Sequence, residues 1–166
     1  LYLAVDDPGS AGLFLLPTGA TDWRPVATGL TGTEKVSQVV RIDTALYAAV
    51  ADVAGARGGL LRLEFGASAF ERLPAPPLMA SAVVKKNGAL LLATVGGLYA
   101  STDRGATWVR RSRAGEAPFG QPVKALVAAT AAQRIFAVAA DGTLFHSDDE
   151  GTTWSQGLVK GKVEGV

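Results

Sequence analysis

The 166-residue chain has no cysteine, one histidine, one methionine and few aromatic residues, 7% in all. Without cysteine there are no disulfides, thiolate metal sites or cysteine nucleophiles. The lone histidine, His146, has no second imidazole with which to share a metal, and it reads as a structural or exposed residue beside Phe145. Charge of one sign is lacking as well. Sixteen Lys and Arg against fifteen Asp and Glu leave a net charge of +1, so no electrostatic footprint for nucleic acid is expected. No apolar run approaches the roughly 20 residues of a membrane-spanning helix. No motif calls for a cofactor or a metal ion.

The composition is that of a globular chain, 48% hydrophobic and 19% charged, and the length suffices for one domain with its own core. It opens at Leu1 directly in the apolar run "LYLAV", which raises the expectation of a processed chain or an excerpt of a longer one.

The run recurs. "LYLAV" starts at Leu1, "LYAAV" at Leu46, "LLATV" at Leu91 and "IFAVA" at Ile135, at intervals of 45, 45 and 44 residues. After each comes a Gly-rich linker and a second apolar pair: Leu13-Phe14, Leu60-Leu61, Leu98-Tyr99 and Leu144-Phe145. Further runs precede the next repeat, from Val36, Leu78 and Val123, and "KVEGV" at the end resembles the start of another. Short apolar or alternating segments separated by Gly, Pro, Asn and Asp are strands rather than helices. Asn87-Gly88, between two such runs, is a strong hairpin signal. Four strands per unit at a period near 45 predict an all-β fold, a β-propeller of four-stranded antiparallel blades. One propeller domain over residues 1–166 is expected, with about four blades. On this reading the chain starts and ends inside a blade. With strands labelled a to d from the inside of the blade outward, it starts on strand b and ends on strand a. Such a chain closes a ring alone, pairs with a second copy as a homodimer, or forms part of a longer chain or complex.

Each second apolar pair leads to a turn. In the last two repeats it is written in full, "STDRGATW" from Ser101 and "SDDEGTTW" from Ser147; the first two have only "GATDW" (Gly19 to Trp23) and "GASAF" (Gly66 to Phe70). The full turns share the template Ser-x-Asp-x-Gly-x-Thr-Trp. At a c–d hairpin a short carboxylate accepts hydrogen bonds from the N–H groups of its own turn, the role expected of Asp103 and Asp149. Gly105 and Gly151 supply backbone freedom, Thr107 and Thr153 tie the turn down, and Trp108 and Trp154 bury apolar surface between sheets. The two motifs resemble the Asp-box, or BNR repeat, of sialidase propellers, sortilin-type receptors, some glucanases and photosystem assembly-factor propellers. The resemblance implies that the motif residues, Ser101 and Ser147 included, are scaffold. It also implies an exported or extracytoplasmic setting.

For a sialidase the resemblance would require an arginine triad, a tyrosine nucleophile and an acid aspartate. Tyr2, Tyr47 and Tyr99 occupy slots that other repeats fill with apolar residues, so sialidase activity is not expected. Asp148-Asp149-Glu150 lacks the alternating spacing of a calcium loop and reads as a solvated hairpin tip. Arg110, Arg111 and Arg113 form the densest basic run: a solvated outer strand, or a protein-docking patch. In propellers of this kind recognition is expected on the b–c and d–a loops. Here these are "DVAGARGG", which holds Arg57, and "RAGEAPFGQP", which holds Glu116 and Phe119 as an exposed aromatic anchor. Arg57, Arg111, Arg113, Glu116 and Phe119 are therefore the candidate binding residues. The first expectation of function is a non-enzymatic propeller that presents loops to a protein or glycan partner. A fragment or subunit of an Asp-box glycoside hydrolase is the alternative, and a photosystem-assembly-type propeller a third.

Overall fold

The computed structural model describes residues 2–5, 12–16, 18–26, 28–30, 33–52, 54, 57–76, 78–112, 119, 122–129 and 134–157. They form fifteen strands in four antiparallel sheets, with no helix among them. The first sheet has three strands, β1 (Tyr2–Val5), β2 (Gly12–Leu15) and β3 (Arg24–Val26). The second has β4 (Glu34–Ile42), β5 (Ala45–Asp52), β6 (Arg57–Glu64) and β7 (Glu71–Arg72). The third has β8 (Ala80–Lys86), β9 (Ala89–Thr94), β10 (Gly97–Ser101) and β11 (Val109–Arg110). The fourth has β12 (Val123–Ala129), β13 (Arg134–Ala139), β14 (Leu144–Ser147) and β15 (Ser155–Gln156). Every strand pairs only with its neighbours in sequence, the meander of a propeller blade. The all-β architecture predicted by the repeat is therefore the one the chain adopts. The terminal "KVEGV" lies outside the described residues.

Two compact units share the chain, residues 1–80 and residues 81–166, with two sheets in each. The cores follow from the two-residue period of strands. In the first unit Leu46, Ala48 and Val50 of β5 and Leu61 and Leu63 of β6 point one way, onto Leu13 and Val26 of the first sheet. In the second unit Leu91 and Ala93 of β9 and Leu98 and Ala100 of β10 meet Ile135, Ala137 and Ala139 of β13 and Phe145 of β14. Strands β5 and β9 are buried almost throughout, which is why they read as unbroken apolar runs rather than alternating ones.

Local chemistry sets the turns. Asn87 and Gly88 both take positive φ, 47° and 88°, the two-residue hairpin loop that the Asn-Gly pair predicts between β8 and β9. In the second unit the Ser81 hydroxyl donates to the Val123 carbonyl at 2.6 Å, linking the inner strands β8 and β12. The buried Lys86 donates its ammonium to the Ala129 carbonyl at the far end of the same two strands. No helix among the described residues is long and apolar enough to cross a membrane.

Candidate functional site

The two Ser-x-Asp-x-Gly-x-Thr-Trp turns close β10–β11 and β14–β15 and are built almost atom for atom alike. Ser101 Oγ donates to Asp103 Oδ1 at 2.7 Å and accepts from the Gly105 N–H at 2.8 Å. Asp103 accepts the Thr107 N–H on Oδ1 at 2.8 Å and the Thr107 hydroxyl on Oδ2 at 2.5 Å. Trp108 Nε1 returns to the Gly105 carbonyl at 3.1 Å. In the second turn Ser147, Asp149, Gly151, Thr153 and Trp154 make the same bonds, each within 0.1 Å of its counterpart. Two oxygens of each aspartate serve three donors, so the charged form is favoured. The Thr107 hydroxyl and N–H, with Ser101, hold the Asp103 carboxyl at about 2. The Thr153 hydroxyl and N–H do the same for Asp149, also at about 2.

A second carboxylate of the acidic tip is engaged too. Asp148 takes Arg134 in a two-pronged pair at 2.7 and 3.0 Å, and that bond lowers its carboxyl pKa. Among the described residues no cluster of three or more His, Cys, Asp and Glu side chains is placed to hold a metal. Of the basic run, Arg110 is spent on Tyr99. Its Nε donates to the phenol oxygen at 3.2 Å, and its guanidinium lies 5.5 Å from the ring centre. Arg111 is exposed, and its backbone N–H donates to the Leu98 carbonyl. Arg57 opens β6 opposite Asp52. Arg113 and Glu116 lie outside the described residues.

Phe119 corrects an expectation. Placed in a Gly- and Pro-rich loop, it was expected as an exposed anchor, yet it is 6% exposed. Its ring meets Phe145 edge-on at 4.9 Å and Trp154 at 5.1 Å, sealing the second unit's core. An aromatic in a loop buries whenever a neighbouring face offers enough apolar area, and edge-to-face pairing adds to that.

The first unit holds what the sequence did not show. In strand register, Leu63 pairs with Leu46 as Ser147 pairs with Ile135, so Leu63 stands in the serine position and Phe65 in that of Asp149. With neither hydroxyl nor carboxylate, this turn is closed by backbone bonds instead: Phe65 N–H to the Thr44 carbonyl and Ala67 N–H to the Glu64 carbonyl, both 3.0 Å. The Phe65 ring is 92% exposed. It overhangs a cleft of about 640 Å³ walled by Leu15, Pro25 and Val26 of the first sheet and by Leu46 and Leu63 of the second. Arg24 and Arg41 line the same cleft. The cleft opens at the c–d turn end of these sheets, not at the b–c and d–a loops where recognition was expected. The only signal in the sequence was a phenylalanine two residues after Leu63, where the full motif has aspartate.

Antiparallel sheets of three or four strands, each a meander of strands consecutive in sequence, define a β-propeller. The chain belongs to the DUF6242 beta propeller domain family, whose model matches residues 62–164. No curated protein is similar to it in sequence at a significant level. Among solved structures it is similar to YCF48 bound to a D1 peptide, with 16% identity and a TM-score of 0.61 over 88% of this chain and 46% of that one. It is similar to YCF48 from Cyanidioschyzon merolae, with 15% identity and a TM-score of 0.60 over 90% and 51%. An ancestral GH74 enzyme matches at 16% identity and a TM-score of 0.57, over 83% of this chain and 20% of the enzyme. The chain thus spans about half the length of the YCF48 chains and a fifth of the GH74 chain. At these identities the likeness is one of fold.

Proposed function

We propose that this propeller is a non-enzymatic protein-binding scaffold whose two complete turns are Asp-boxes. The observation that carries the reading is the exposed Phe65 over an open, largely apolar cleft. An aromatic ring left in water beside a concave surface is the usual anchor of a protein interface. The state of the repeated carboxylates supports it. Asp103 and Asp149 have their oxygens committed to their own turns and are held ionised well below the range of a general acid. The YCF48 structure carries a peptide, which is a property of that protein and lends a precedent for the fold.

Two parallel screens test this. The full chain is applied to peptide and glycan arrays, and to a polysaccharide panel assayed for released reducing sugar. Retention on peptides without sugar release is the expected result. Sugar release that disappears with one carboxylate substitution would replace this reading with the glycoside hydrolase one.

A further inference from the structure

We infer that the cleft of the first unit takes an acidic peptide segment with an apolar side chain at its centre; this rests on the protein-binding reading and names the partner's chemistry. The walls come from two sheets. Leu15, Pro25 and Val26 stand on one side and Leu46, Leu63 and Phe65 on the other, a lining that a single aromatic or aliphatic side chain fills. The volume, about 640 Å³, lies within the range of pockets that enclose a compact ligand, roughly 300–1,000 Å³.

The charges select the sign of what flanks that side chain. Arg24 and Arg41 are exposed, and neither has a carboxylate partner among the described residues. The Arg41 guanidinium donates to the Asp43 carbonyl at 3.3 Å, a neutral acceptor that leaves its charge uncompensated among the described residues. Glu64, the acid lining the cleft, faces Arg62 at 3.3 Å. The charged residues lining the cleft are therefore net positive, two arginines against one glutamate, on a chain whose overall charge is only +1. Arginine forks bind carboxylates in pairs of hydrogen bonds, and arginine and aromatic residues together are the usual composition of an interface hot spot. Nucleic acid fits less well. A mostly apolar wall offers its phosphates nothing, and two arginines release few counterions.

The turn itself frees the ring. Where Asp149 is drawn inward by Thr153 and Ser147, the equivalent Phe65 has no polar partner in its turn and points out. A carboxylate at that position would also repel an acidic segment, so losing the motif here both opens the cleft and removes a negative charge.

Fluorescence anisotropy of the full chain with a short labelled peptide, one leucine or phenylalanine flanked by glutamates, tests the assignment. Binding that weakens with added salt is expected. Arg24→Ala with Arg41→Ala, and separately Phe65→Ser, should each weaken it at least about tenfold, as hot-spot truncations do. All three side chains are exposed, so unchanged melting curves will show that the fold is intact. Peptide binding that ignores these substitutions but falls with Arg111→Ala overturns the cleft and leaves the scaffold reading standing. Equal binding of a lysine-flanked peptide, or stronger binding of a sulfated oligosaccharide, overturns the acidic-peptide assignment. Failure of every peptide on the array overturns the scaffold reading itself.

Discussion

The turn from Leu63 to Phe70 and the turn from Ser147 to Trp154 occupy the same place in their sheets and solve it with different chemistry. In the second unit the turn is a polar cage, with a buried serine hydroxyl at its centre and an aspartate folded back over it. It also presses inward. A Cβ on Gly151, which is buried, would lie 3.1 Å from Leu91 Cδ1, whereas Ala67, at the same place in its own turn, is exposed. The first unit closes this turn with backbone bonds in place of the serine–aspartate cage, leaves a cleft beside it and puts a phenylalanine in water. A caged turn consumes its functional groups internally. An uncaged one has side chains left over for a partner.

The largest effect should separate the two aromatics. Phe119→Ala removes a ring enclosed by Phe145 and Trp154 and is expected to cost about 3–5 kcal/mol, as large core truncations do. Phe65→Ala removes an exposed ring and should stay within about 0.5 kcal/mol. Urea unfolding of the two variants measures both. A costly Phe65→Ala would mean that the ring is packed in solution and that the contrast between the turns is false.

Next is the cage. Ser147→Ala leaves the buried Gly151 N–H without its acceptor, which is expected to cost about 1–3 kcal/mol. Ser101→Ala should match it, since the two cages superimpose bond for bond. Transplanting the serine is not enough: Leu63→Ser should also destabilise, because it loses apolar burial and no carboxylate at position 65 receives the hydroxyl. Thermal melts of the three variants decide whether the cage works as a unit.

How far the sequence showed this depends on the kind of interaction. Strand runs at Leu46, Leu91 and Ile135 declare themselves because burial imposes a pattern on neighbours, and Asn87-Gly88 fixes a turn from two residues. The donors and acceptors of the complete turns were visible in the motif for the same reason, being local. Phe119 was not legible. A loop of Gly and Pro carries no periodicity to say which way a ring faces, and its partner Trp154 lies far along the chain. The cleft was not legible either. Arg24 and Arg41 belong to different sheets, and only the packing of one sheet on the other brings them to one surface. Matching "GASAF" to the motif by its glycine drew attention to Phe70, which is buried, and away from Phe65.

Backbone strain gives a third, smaller contrast with opposite signs. Glu150 sits at φ 61°, and Gly66, at the same place in its own turn, sits at φ 86°. A left-handed conformation costs a residue with a Cβ about 1–2 kcal/mol, part of which glycine returns through its freer unfolded chain, about 0.4–1 kcal/mol. Glu150→Gly should therefore stabilise the second unit by under about 1 kcal/mol, and Gly66→Glu should destabilise the first by a similar amount. Denaturant midpoints that move the same way would show that the two turns do not share a backbone.

Acid should produce the smallest shift and the one most specific to the cage. Asp103 and Asp149 are held at about 2 in the folded chain, below the usual carboxylate value near 4. A depressed folded value means that the unfolded chain binds the proton first. The stabilisation is complete above the unfolded value and is lost as pH falls from about 4 towards 2. Both carboxylates are open to water, so screening keeps the loss small and salt-dependent. Amide NMR from pH 5 downward reads it locally. The Thr107 and Thr153 N–H signals, bonded to these carboxylates, should move with midpoints near pH 2. The Phe65 and Ala67 N–H signals, bonded to carbonyls, should hold still over the same range. Midpoints near 4 for the threonines would mean that the carboxylates are not held in solution, and the two turns would then differ only in what they expose.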